Sequence, residues 1–150
     1  MMETPPGRIL AIDYGSVRIG LAVCDPLRVT TRGAGTIPND AGLITRLVLL
    51  ASAEGVVEIV VGMPYAPDGG LGAKGEEVKR FIDRLEAAVE VPVRTWDESQ
   101  TTVAAHRRMR DGGMKRKQRQ EKGRVDEMAA RVLLEEYLEH ASSAHGPATE

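Results

Sequence analysis

Apolar positions open the chain in two dense blocks, RILAID over 8–13 and a second run over 17–24 that leads into Asp25, with Tyr14-Gly15-Ser16 between them. Both blocks consist of β-forming residues around a short glycine-containing turn, and residues 27–37 supply a third strand, so the opening reads as an antiparallel meander. The pattern then changes. The spacing predicts a helix over 41–53, a buried strand at 57–62 (VEIVVG), a helix over 74–89 and a strand at 91–96 (VPVRTW). Helices follow at 101–111, stopped by Gly112, and at 124–140, where Val125, Met128, Ala129, Val132, Leu133 and Leu134 recur at helical spacing to form one apolar face. Pro64, Pro67, Gly69, Gly70 and Gly72 make the loop after VEIVVG long and irregular. The fold class that follows is α/β: a mixed sheet, antiparallel meander first and parallel strands after, flanked by helices. Residues 1–140 form a single domain and 141–150 a disordered tail.

Composition adds bounds. A chain of 150 residues with 42% apolar and 28% charged content makes one ordinary domain that buries about two-thirds of its unfolded surface. The single Cys24 has no disulfide partner and lies in an apolar run, where a buried, inert thiol is expected. The opening MMETPPGR has neither an apolar signal core nor a basic region. No apolar run approaches the roughly 20 residues of a membrane span, so the expected location is the cytoplasm and no membrane partner is expected.

Charge changes the picture more than composition does. Residues 107–124 carry nine Lys/Arg (Arg107, Arg108, Arg110, Lys115, Arg116, Lys117, Arg119, Lys122, Arg124) against Asp111 and Glu121, a local balance of +7 in a chain whose net charge is −2, so the remainder stands at −9. Such a run is often no more than a solvated surface. A cationic block on an acidic body also suits a polyanion, and nucleic acid is the natural partner. The candidate contacts are Arg18, Arg107, Lys115, Arg116, Lys117, Arg119, Lys122 and Arg124. Aromatic content of only 3% argues against extensive base stacking and for backbone recognition with modest sequence preference.

Acidic residues mark the ends of elements. Asp13 closes the first strand, Asp97 and Glu98 close the last, and Asp126 lies in the first turn of the final helix beside Ala129-Ala130. Individually each has a plain explanation as a turn residue, a helix cap or a complement to a helix dipole. An open sheet, however, gathers strand ends and crossing helices into one place. Three carboxylates meeting there would repel unless a divalent cation neutralised them, and hard oxygen ligands suit Mg²⁺ or Mn²⁺.

The run IDYGSVRIGLAVCD, the strand-loop VVGMP followed by DGG and a helix with Phe81 and Leu85, the motif DESQTT and the motif KGRVDEMAA together resemble the YqgF/RuvX family. These are ribonuclease H-like proteins described as Holliday-junction resolvases or as nucleases of pre-16S rRNA. The resemblance spans about 8–140. It implies a ribonuclease H-like sheet and a metal-dependent endonuclease acting on a four-way DNA junction or on pre-rRNA. The implied catalytic and metal-binding acids are Asp13, Glu98 and Asp126. Such a site holds two divalent ions roughly 3.5–4 Å apart, one generating hydroxide and one stabilising the leaving oxygen. Asp13 would be shared between the ions, with Glu98 and Asp126 completing one each. Successive strand residues face opposite ways, so only one of Asp97 and Glu98 reaches the site, and the resemblance selects Glu98. This chain has Ser99 and Gln100 where the family usually shows Arg and Leu, so any phosphate contact made by that arginine would pass to another basic residue. A junction resolvase must nick two strands, which implies a homodimer on the substrate.

Other classes compete. Gly70 to Gly75, GLGAKG, satisfies G-x-G-x-x-G ahead of a helix, and Asp97 follows at a suitable distance, as in a dinucleotide-binding module. Asp13-Tyr14-Gly15-Ser16 with Gly20 also resembles the phosphate hairpin of actin-like kinases, which need two lobes where 150 residues make one. A nucleic-acid-binding protein with purely structural acids is the non-enzymatic alternative.

Overall fold

In the computed structural model, which describes residues 4–98 and 122–144, with side chains at 4–98 and 126–141, the alternating segments form five strands. They are β1 (Arg8–Asp13), β2 (Arg18–Cys24), β3 (Thr31–Pro38), β4 (Val56–Met63) and β5 (Val93–Asp97). The sheet order is β3-β2-β1-β4-β5. β1 pairs antiparallel with β2 and β2 with β3, whereas β4 runs parallel to β1 and β5 parallel to β4. The expected meander followed by parallel strands is therefore the observed topology.

Strand alternation sorts the buried side chains into two cores. Helices α1 (Leu43–Glu54) and α2 (Gly72–Ala88) cover one face, where Leu47, Phe81 and Leu85 meet Leu10, Ile12, Leu21, Ile59 and Val61. Helix α3 (Lys122–Ala144) covers the other, where Ala129, Ala130, Leu133 and Leu134 meet Ile9, Ala11, Ala22, Cys24 and Val60. Small residues on both sides of this second core bring α3 close to the sheet. Each fully buried leucine there contributes about 2 kcal/mol. Among the described residues no helix is long and apolar enough to cross a membrane.

Several boundaries differ from the sequence pattern. β3 begins at Thr31, because the Asp25 carboxylate accepts hydrogen bonds from the amides of Leu27, Val29 and Thr30 and folds 25–30 into a turn. Leu27 and Val29 are consequently exposed. The apolar face of α3 is narrower than the spacing suggests: Met128 points to solvent, and Ala130 replaces it in the core. The helix also runs to Ala144, four residues past the expected end at 140, since no breaker precedes Gly146-Pro147. The helix expected at 101–111 lies outside the described residues. Cys24 is buried as expected; burial raises its thiol pKa, and its Sγ accepts the Ile9 amide at 3.2 Å.

The far half of α3 is braced on β4 and β5. Trp96 packs edge-on against Tyr137 at 5.9 Å and at a tilt against His140 at 5.0 Å. The Tyr137 hydroxyl donates a short hydrogen bond to Glu58, which also faces Arg94 at 3.3 Å. Burial, then this hydrogen bond, push the Tyr137 phenol up to about 12, whereas in the unfolded chain it titrates near 10. The neutral hydroxyl's contribution is thus whole below about pH 10 and is lost as pH rises toward 12. Tyr137→Phe is expected to cost about 1 kcal/mol at pH 8. In urea unfolding, the gap between the two proteins should close between about pH 10 and 12. A gap independent of pH would assign the cost to shape rather than to the hydrogen bond.

Candidate active site

β1 is the central strand, and Ile9 and Ala11 assign its odd-numbered positions to the α3 face. Asp13, at its end, therefore faces α3. Its partner across the antiparallel ladder is Gly20. On the parallel side Ile12 pairs with Val61, so Gly62 is the next neighbour of Asp13. Asp13 thus lies between two glycines, each roughly one strand spacing of 4.8 Å away.

Those glycines admit the other two acids. A Cβ at position 20 would stand 2.1 Å from the main-chain oxygen of Asp126, so α3 at Asp126 rests directly on the backbone of β2. A Cβ at position 62 would stand 2.7 Å from Glu98 Oε1, so the Glu98 side chain lies over β4. Asp13, Glu98 and Asp126 are 1%, 1% and 2% exposed and are the buried charged residues among those described. Asp97, opposite Met63 on the ladder, is exposed. Glu98 continues that ladder by donating its amide to the Met63 carbonyl at 3.2 Å. Of the two adjacent acids it is Glu98 that turns inward beside Gly62.

The surroundings hold these supports in place. Glu127, next to Asp126, lies over Gly33 and accepts the Gly35 amide at 2.6 Å, which ties the second turn of α3 to β3. Arg18 Nε donates to Asp126 Oδ2 at 2.7 Å. The turn after Asp13 is clamped as well: Tyr14 stacks on Phe81 at 4.8 Å, Asn39 donates to the Gly15 carbonyl at 2.8 Å, and Lys74 reaches Ser16 Oγ at 3.3 Å. Burial raises the Tyr14 phenol above its usual range.

The three predicted acids are therefore drawn to one end of the sheet. Among the described residues no three His, Cys, Asp or Glu side chains stand as a ready-made metal group, and Arg18 pairs with Asp126. The donor set itself, buried carboxylates on rigid supports, is of the kind hard divalent cations take. Arg18, expected at the nucleic acid, thus meets a candidate site acid. Arg107, Lys115, Arg116, Lys117 and Arg119 lie outside the described residues, as do Ser99 and Gln100; Lys122 and Arg124 belong to the first turn of α3. No sequence motif assigns Gly20, Gly62 or Glu127 to the support of these acids. The glycines carried a signal, since glycine inside an apolar strand marks close approach of another element. The glycine-rich GLGAKG begins seven residues after β4 ends at Met63 and runs into α2, so the direct strand-to-helix turn of a dinucleotide site is not formed.

A three-stranded meander extended by two parallel strands, with an acid closing the central strand, defines a ribonuclease H-like fold. The structure of T. thermophilus RuvC in complex with a Holliday junction substrate shares it at a TM-score of 0.56 and 15% identity, over 89% of this chain and 94% of that one. A family model described as RuvX, Holliday junction resolvase, matches residues 7–140. The chain belongs to the RuvX family. Its relatives include proteins named "Putative pre-16S rRNA nuclease" from Halothermothrix orenii, 38% identical over 93% of this chain and 99% of the relative. Another of that name, from Syntrophus aciditrophicus, is 40% identical over 93% of each chain.

Proposed function

We propose that this protein is a divalent-metal-dependent nuclease that hydrolyses phosphodiester bonds of structured nucleic acid, with the 5′ end of pre-16S rRNA as its substrate. The observation that carries the reading is the burial of Asp13, Glu98 and Asp126 at one end of the sheet. Bound Mg²⁺ or Mn²⁺, as two ions, would activate water and stabilise the leaving oxygen. Asp13 would hold both ions from the central strand, and Glu98 and Asp126 would hold one each. The chain's own contribution is rigidity: the strand ladder fixes Asp13 and Glu98, and the contacts of Gly20 and Glu127 fix the backbone of Asp126.

The rRNA substrate is favoured by relatives of that name at 38–40% identity across nearly the whole chain. Resolution of four-way DNA junctions is the second reading, favoured by the description of the matching family. It requires a homodimer that presents two sites to one junction. Side-by-side cleavage of a pre-16S 5′ leader RNA and a four-way DNA junction in Mg²⁺ and Mn²⁺ tests both. Selective cleavage of the RNA supports the first reading, and paired symmetric nicks in the junction support the second. Binding without cleavage of either would leave a nucleic-acid-binding protein.

The basic segment supplies a separate check. Replacing Lys115, Arg116, Lys117 and Arg119 by Ala is expected to weaken binding and to flatten the dependence of log affinity on log salt for duplex DNA. Each lost phosphate contact contributes about 0.9 to that slope. An unchanged slope would make the run a solvated surface.

A further inference from the structure

Arg18 opens β2, on the strand beside Asp13, and couples the mouth of the site to its floor. Its side chain is 29% exposed, whereas the Asp126 carboxylate it meets at 2.7 Å is 2% exposed. The position of Asp126 does not depend on this pair alone. Its main chain rests on Gly20, and the adjacent Glu127 is tied to the Gly35 amide. The guanidinium is therefore free to leave without releasing the helix. A divalent cation and a guanidinium compete for such an oxygen, because Mg²⁺ binds carboxylate at about 2.0–2.1 Å and two adjacent cations repel. A guanidinium at the mouth is also matched to phosphate, which it can bind through two parallel hydrogen bonds.

We propose that Arg18 is a resident counter-cation of Asp126: it holds the carboxylate in the metal-free protein, competes with the incoming ion, and turns to a substrate phosphate once the ion has taken its place. The inference rests on the reading of Asp126 as a metal ligand. Arg18 acts through Asp126 before substrate arrives and is a positioning residue at that stage.

The test is titration of Mn²⁺ into the full-length protein without nucleic acid, followed by calorimetry, for the wild type, Arg18→Gln, Arg18→Lys and Asp126→Asn. Arg18→Gln is expected to bind Mn²⁺ about tenfold more tightly, since a competing charge at 2.7 Å is gone. Its metal-free form should melt at a lower temperature, with the deficit shrinking at saturating Mn²⁺. Arg18→Lys keeps the charge and should stay near wild-type affinity. In Ca²⁺, Arg18→Gln should bind the leader RNA less tightly, with the loss of about one phosphate contact in the salt slope. Equal or weaker Mn²⁺ binding by Arg18→Gln, where Asp126→Asn abolishes binding, would overturn the counter-cation role and leave the metal-site reading intact. Mn²⁺ binding that is absent from the wild type, or indifferent to Asp126→Asn, would overturn both. Unaltered RNA affinity would overturn the transfer to phosphate.

Discussion

Asp13→Asn is expected to lower phosphodiester cleavage in Mg²⁺ or Mn²⁺ by about a thousandfold, equivalent to about 4 kcal/mol of transition-state stabilisation. The substitution removes a charge at nearly constant volume from the end of the central strand, where Asp13 would serve both ions. Glu98→Gln and Asp126→Asn should act in the same direction. The fold should survive, because Asp13 is the last residue of β1 and the apolar pairs before it, Leu10 with Val23 and Ile12 with Leu21, are untouched. The melting temperature should stay within about 4 °C of wild type, the range of a 1 kcal/mol change in a domain of this size. Asp97→Asn is the matched control: it removes the neighbouring charge from an exposed position and should cleave near the wild-type rate. An Asp13→Asn protein that cleaves as well as the wild type would falsify the site assignment.

Gly20→Ala should damage stability and activity together. The new Cβ would lie 2.1 Å from the Asp126 main-chain oxygen, and both atoms belong to regular backbone, so neither can rotate away. The stretch of α3 around Asp126 must lift by about 1 Å, at a cost of about 1–3 kcal/mol for overpacking. The same displacement moves Asp126 away from Asp13, and misplacement of about 1 Å in a catalytic constellation costs about a hundredfold in rate. Gly62→Ala separates the two effects. Its Cβ would meet the end of the Glu98 side chain at 2.7 Å, which can swing aside, so cleavage should fall while the denaturation midpoint changes little. Equal loss of stability in both variants would mean that α3 is not seated on Gly20 as described.

The order of strands and helices was legible in the sequence because periods of two and of three to four residues are imposed by the local backbone. The central blocks RILAID and RIGLAVC became β1 and β2. Boundaries set by specific side chains were less legible: β3 starts late because of Asp25, and Met128 shares the helical spacing of the apolar face yet remains outside. Asp13, Glu98 and Asp126 could be picked out by motif and element end. Their proximity could not, because it depends on strand register and on how closely a helix approaches a sheet, both of which join residues far apart in the chain. Register places Gly20 and probes the choice between Asp97 and Glu98 through the pairing of Asp97 with Met63. The pairing of Arg18 with Asp126, 108 positions apart, likewise belongs to the tertiary structure. Local pattern set the elements and the chemical groups available; the packing of α3 against Gly20 on β2 decided which of those groups lie together, because only where a side chain is missing can a carboxylate-bearing backbone come that close.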